Sequence, residues 1–210
     1  MKYRCLPTLR SFLSWPSQTG FTIKGIDSRH PESVEGEKVK IIPKLSSDNP
    51  NAWRQYDAAF RDEIQTDGCL FMCLGSIVEE ASGIPFEDPD EIERAYQYAM
   101  PNYMRDGGAV RKNRCYINSH PDLLRVFFHV LGIRKPSMAI YAYRYDFETG
   151  RYIVGGSSSK WQCNYFVKKV RYGTEGGHFL RCTVDLDSLY NPGRTDNDDI
   201  LSLRGYVVKL

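Results

Sequence analysis

The sequence lacks any run approaching the roughly 20 consecutive apolar residues that a membrane-spanning helix needs, so no membrane span is expected. Its first twenty residues, MKYRCLPTLRSFLSWPSQTG, open on basic side chains, but Pro7, Arg10 and Pro16 break up any apolar stretch of signal-peptide length. A cytoplasmic location is the resulting expectation. Charge of one sign is also lacking. The 28 Lys and Arg stand against 26 Asp and Glu, a net charge of +2, which is too balanced for a dedicated nucleic-acid face. Lys168, Lys169 and Arg171 do cluster, yet they alternate with Val167 and Val170 and read as the solvated face of a strand. The six cysteines, at 5, 69, 73, 115, 163 and 182, contain no CxxC pair and no regular spacing, which argues against a disulfide framework or a zinc ribbon. Cys69 and Cys73 lie one helical turn apart, where Cβ atoms are about 5–6 Å from each other, too far for a disulfide. Internal repeats are absent.

What is present is the composition of an ordinary globular protein: 41% hydrophobic and 26% charged residues over 210 positions. That length suits one domain with an added arm. Residues 1–50, rich in Pro, Gly, Ser and charge, read as a partly ordered N-terminal extension with one possible edge strand, Lys38 to Ile42. Residues 51–210 read as the domain.

The apolar period changes along that domain. Asn49-Pro50 offers a cap and a first helical position, and Trp53, Tyr56, Ala59, Phe60 and Ile64 follow at helical spacing. After Gln65-Thr66-Asp67-Gly68, a second helix is expected from Cys69 to about Ala81, capped by Asp67 and ended by Gly83. A third opens at Asp88-Pro89, with Asp88 and Glu91 at capping-box spacing. After a Gly107-Gly108 break, a fourth follows Ser119 and closes at Gly132. Beyond it, Met138–Tyr145, Tyr152–Val154, Cys163–Tyr172, His178–Val184 and Gly205–Val208 alternate as strands, with a hairpin turn at Glu148-Thr149-Gly150. Helices first and an antiparallel sheet afterwards give an α+β class.

One segment, IQTDGCLFMCLGSI, assembles parts that thiol chemistry needs. At a helix start, unpaired N–H groups and the helix dipole favour a thiolate on Cys69 and leave its own N–H to donate to an oxyanion. Gln65, just upstream, offers a second donor from its side-chain amide. A proton acceptor must come from elsewhere in the chain, and of the four histidines His178 is best placed, after Gly176-Gly177 and opening the apolar strand HFLRCTV. His30 lies in the polar arm, His120 at a helix start, and His129 beside Phe127 and Phe128 inside a helix. A group must then hold the imidazole in one tautomer. Asn191, in the turn Tyr190-Asn191-Pro192-Gly193, ranks above Asp185 and Asp187, which alternation puts on the strand face opposite His178.

The order Gln, Cys on a helix, His opening a strand, then Asn before Pro resembles the papain-like cysteine peptidase clan. Within it the likeness is to the bacteriocin-processing, double-glycine peptidase branch, in which a GHF-type histidine precedes an Asp-Pro turn. IQTDGCLFMCL, NRCYINSHPDLL, GGHFL and a late RGY also look like an uncharacterised family known mainly from spirochaete plasmids. The resemblance covers about residues 60–210. It implies a papain-like fold with the nucleophile helix packed on a C-terminal antiparallel sheet. It further implies Cys69 as nucleophile, His178 as base, Asn191 as orienter and Gln65 in the oxyanion hole. Two departures stand out: Gln65 is closer to the cysteine than is usual in the clan, and Asn191 stands where the peptidase branch has Asp.

The expected activity is that of a peptidase, isopeptidase or amidase with no metal or organic cofactor, acting on a peptide or protein substrate and needing neither nucleic acid nor membrane. The alternative is a catalytically inactive papain-like domain, phage- or plasmid-encoded, that binds a protein partner through its Tyr141, Tyr143 and Tyr145 row and its N-terminal arm. The oligomeric state is left open by the sequence.

Overall fold

The widest apolar stripe in the sequence becomes the central helix. In the computed structural model, which describes residues 43–101, 108–133, 140–152, 165–172, 176–193 and 201–210, α2 (Cys69–Ser82) is buried without interruption from Leu70 to Glu79. A helix that is buried on all sides needs partners on all sides. On one side it meets α4 (His120–Val130), which α3 (Pro89–Ala99) backs. Phe71 packs against Phe127 at 4.8 Å and against Tyr96 at 6.0 Å between ring centroids. Gly75 permits that approach, since a Cβ there would stand 3.0 Å from Leu45 and 3.3 Å from Phe127. On its other side α2 lies against the sheet. A short helix, α1 (Asp62–Asp67), precedes it.

The sheet follows as β1 (Tyr141–Asp146), β2 (Arg151–Tyr152), β3 (Tyr165–Tyr172), β4 (Gly176–Cys182), β5 (Ser188–Tyr190) and β6 (Leu201–Lys209). Its order is β2-β1-β6-β3-β4-β5, and every described pairing is antiparallel. The class is therefore α+β. Tyr165, Val167, Phe179, Tyr206 and Val208 join the main core with the helices, while Phe166, Cys182 and Val207 form a smaller cluster with Tyr143 and Tyr145. No described helix is long and apolar enough to cross a membrane.

Several local expectations match. Gly83 closes α2 in the left-handed conformation, φ 68°. Asp88 caps α3 by accepting from the Glu91 N–H at 3.2 Å, although the Glu91 carboxylate reaches Glu87 rather than Asp88. Gly132, at φ 81°, ends the turn after α4. The expected helix over Asn49–Ile64 does not form. Its backbone groups go to distant partners instead: Trp53 N–H donates to Lys44, Gln55 N–H donates to Pro192 at 2.9 Å, and the Trp53 carbonyl accepts from the Tyr190 hydroxyl at 2.6 Å. Only α1 at its end is helical.

Residues 40–210 make one compact unit. The stretch from Pro43 to Pro50, grouped with the extension on composition, packs into this unit. Leu45 is fully buried, Ser47 N–H donates to the Leu189 carbonyl at 3.0 Å, and the Lys44 and Leu45 N–H groups each donate to the Glu79 carboxylate at 2.8 Å. The expected edge strand at Lys38–Ile42 lies outside the described residues.

Candidate active site

The chain remains helical through Asp67, because Gly68 N–H still donates to the Ile64 carbonyl at 2.8 Å. It leaves the helix only at Gly68, where a Cβ would come 2.3 Å from that same carbonyl oxygen. Met72 N–H then donates to Gly68 at 2.8 Å and α2 begins. The expected cap is thus corrected by one residue. Gly68 is the N-cap, no side chain caps α2, and Asp67 instead reaches Arg114 at 3.4 Å.

Cys69 sits in the first turn, half-buried. Its thiol is pushed above the ordinary value of 9.0 mainly by burial, with the charge of Asp67 adding to the rise. The N–H groups of Phe179, Leu70 and Cys69 itself work in the opposite direction. The expected stabilisation by helix-start amides is therefore present but outweighed, and the resting form is the neutral thiol.

Phe179 explains how α2 meets β4. In an antiparallel pair, the N–H and C=O of one residue point to the same strand edge. β5 pairs with β4 only near Arg181 and Cys182, so the edge at Phe179 is open to the helix. Cys69 takes up the Phe179 N–H, and one turn later the Cys73 thiol donates to the Phe179 carbonyl at 3.5 Å. Two cysteines one turn apart thus stand where a strand partner would otherwise be. The Cys69 thiol thus meets the N–H of the residue that follows His178.

His178 is 6% exposed, and its Nε2 is 2.9 Å from Asn191 Oδ1. The same oxygen accepts the Gly193 N–H at 2.8 Å. That second bond identifies the atom as the oxygen, because an amide nitrogen cannot accept from an N–H. His178 Nε2 must then be the protonated nitrogen, and in the neutral ring Nδ1 carries the lone pair. Gly193 has to be glycine for this contact: a Cβ would sit 2.9 Å from His178 Nε2 and 3.1 Å from Asn191 Oδ1. Asp185 and Asp187 are exposed in the loop between β4 and β5.

Gln65 is differently engaged from expectation. Its side-chain amide donates to the Phe60 carbonyl at 2.5 Å, within its own stretch of chain. Its carbonyl accepts from the Gln55 side chain at 3.0 Å. Gln55 went unnoticed in the sequence because the expected helix put it among polar surface positions. It is 2% exposed, its N–H holds Pro192, its amide holds Gln65, and its Oε1 is buried with no partner among the described residues. Arg54, beside it, donates to the Asn191 carbonyl. The Trp53–Gln55 segment therefore ties the Asn191 turn to the approach of α2.

The remaining histidines and cysteines stand apart from this arrangement. His120 starts α4 with its ring 4.4 Å from that of Tyr206, and burial pushes its pKa down to about 4. His129 packs with Tyr98 at 6.0 Å. Cys73, Cys115 and Cys182 are buried, while His30, Cys5 and Cys163 lie outside the described residues. Among the described residues no cluster of His, Cys, Asp and Glu could hold a metal ion. No protein-family model, no curated protein and no solved structure matches the chain.

Proposed function

We propose that the protein is a papain-like cysteine hydrolase acting on a peptide, isopeptide or related amide bond, with Cys69 as nucleophile, His178 as base and Asn191 as the group that holds the base. The observation that carries this reading is the His178–Asn191 bond at 2.9 Å, whose polarity is fixed by the Gly193 N–H. It leaves a basic nitrogen on a residue whose next N–H meets the Cys69 thiol. A papain-like fold is part of the same proposal, and the packing of α2 on an antiparallel sheet supports it.

The reaction begins from a neutral thiol. His178 Nδ1 takes the Cys69 proton as the sulfur attacks the substrate carbonyl carbon. The Cys69 N–H, which opens α2, donates to the developing oxyanion. The imidazolium then returns the proton to the leaving amine as the C–N bond breaks, and a thioester remains. Water, deprotonated by the same Nδ1, attacks the thioester and releases the acid and the thiol. Asn191 accepts from Nε2–H throughout and favours the imidazolium that forms. Gln55, whose side-chain amide donates to the Gln65 carbonyl at 3.0 Å, positions the approach to α2.

A limiting amount of iodoacetamide near neutral pH, followed by mapping of the alkylated cysteine, tests this. Preferential labelling of Cys69 that is lost in His178→Ala is the expected result. Labelling that ignores His178, or that spreads evenly over the cysteines, overturns the reading. That outcome would favour an inactive binding domain. The upward shift of the Cys69 thiol and its place against the edge of β4 support this second reading.

A further inference from the structure

The residues flanking His178 carry a charge that the mechanism above leaves unused. Lys169 pairs with Phe179 across β3 and β4, so the two side chains share the face of the sheet that α2 packs on. Its ammonium stands 5.7 Å from the centre of the Phe179 ring, within cation–π range. Its chain runs directly over Gly177: a Cβ at that position would come 1.9 Å from Lys169 Cε and 2.8 Å from Nζ. The glycine before His178 thus leaves the space that the lysine occupies, and the phenylalanine after it holds the ammonium.

Among the described side chains, neighbouring charges of the sheet and of α2 are matched. Arg181, on the same face, is paired with Glu80 and Ser76 of α2. Lys168 points to the opposite face and donates to the Leu186 carbonyl at 2.9 Å. Asp67, on the nucleophile side, has Arg114 at 3.4 Å. Lys169 is exposed, and among the described residues no carboxylate pairs with it. A cation held by the residue whose N–H meets the Cys69 thiol raises the local concentration of anions and lowers the energy of a bound carboxylate.

We propose that Lys169 is a specificity-determining residue that selects substrates bearing an acidic side chain next to the scissile carbonyl. The inference rests on the hydrolase reading of Cys69. The carboxylate would lie along the α2-facing side of β4, over Gly177, with its charge toward the ammonium. It adds no covalent step to the reaction described above.

Two small alkylating agents separate the charge effect from the chemistry. Iodoacetate and iodoacetamide react with a thiolate by the same displacement of iodide, but only the first carries a carboxylate. The ratio of their second-order rate constants at Cys69 is measured for the native protein and for Lys169→Met, Lys169→Glu and Lys169→Arg. His178 is present in all four, so its charge cancels in the comparison. Lys169→Met is expected to lower the iodoacetate-to-iodoacetamide ratio about fivefold, the order for one exposed charge acting across a short gap. Any change in thiolate content is shared by the two reagents and cancels in their ratio. Lys169→Glu should lower the ratio further, and Lys169→Arg should keep it. Raising the salt concentration should compress the native ratio toward that of Lys169→Met. An aspartyl chloromethyl ketone should likewise label the native protein faster than its asparaginyl counterpart, and lose that advantage in Lys169→Met. Selective labelling of Cys69 with a ratio unaffected by Lys169→Met overturns the selectivity and leaves the hydrolase standing. Absence of selective, His178-dependent labelling by iodoacetamide overturns both.

Discussion

At the scale of single residues, the decisive atom is Asn191 Oδ1. It accepts from both the Gly193 N–H and His178 Nε2, so one side chain sets the tautomer of the base. Asn191→Asp keeps an acceptor at that place, whereas Asn191→Ala removes it and leaves a buried imidazole N–H without its partner. Asn191→Ala is expected to slow Cys69 alkylation at pH 7 about tenfold or more, with Asn191→Asp retaining much of the rate. Gly193→Ala should resemble Asn191→Ala, since its Cβ would enter the 2.9 Å gap beside Nε2. The pH profile of the same reaction gives a further check. Burial holds the Cys69 thiol above its ordinary value of 9.0. Without a base, the labelling rate should therefore climb only on the alkaline side of that value, which is the profile expected of His178→Ala. The native protein should stay reactive toward neutral pH. Coincident profiles for the two would remove His178 from the chemistry.

At the scale of elements, α2 is fastened at several points along its length, and one of them is an acid inside the core. Glu79 is 2% exposed, yet it accepts three backbone N–H groups, from Lys44, Leu45 and Phe86, at 2.8, 2.8 and 2.9 Å. Burial raises its pKa while those N–H groups lower it, and burial has the larger effect. The carboxylate is a junction between the N-terminal stretch, the helix and the loop after it. Glu79→Gln puts an NH2 group against at least one of these donors, and an unsatisfied buried N–H costs about 1–3 kcal/mol. A urea midpoint lowered to match is the expected result, with Glu79→Ala lower again. An unchanged midpoint in Glu79→Ala would mean that water satisfies the three N–H groups equally well. Farther along β4, Arg181 joins the same helix to the sheet through Ser76 and Glu80, and its register helps bring Phe179 level with Cys69.

At the scale of the whole molecule, what was legible in the sequence is what depends on local pattern. The stripe from Leu70 to Val78 dictates a buried helix, Asp88 and Gly132 mark boundaries, and the alternation from Tyr165 onward marks strands. Spacing also pointed to His178 and Asn191, whose side chains do meet. The stretch from Pro43 to Arg61 was not legible, because long-range partners decide its backbone. Trp53 and Phe60 have helical spacing, but the chain there serves the Tyr190–Pro192 turn and Glu79 rather than its own i−4 carbonyls. β5, with three residues, is too short to show a period. Gln55 stayed hidden for the same reason, as its role depends on two partners distant in sequence.

The same long-range dependence makes residues 43–50 a structural requirement of the domain. Leu45 is completely buried beside Gly75, its N–H goes to Glu79, and its carbonyl accepts the Ser76 hydroxyl. Leu45→Ala removes the side chain but keeps both backbone bonds, so its effect isolates the packing. A fully buried Leu→Ala change costs about 2–5 kcal/mol. A chain that begins at Asn51 loses that packing and also strips two of three donors from Glu79, leaving a buried carboxylate with one N–H. Urea unfolding of chains beginning at Lys40 and at Asn51 should therefore differ by more than the Leu45→Ala effect alone. If the two unfold at the same midpoint, the stretch from 40 to 50 is an appendage after all. A difference no larger than that of Leu45→Ala would instead mean that Glu79 recruits other donors when the strap is gone.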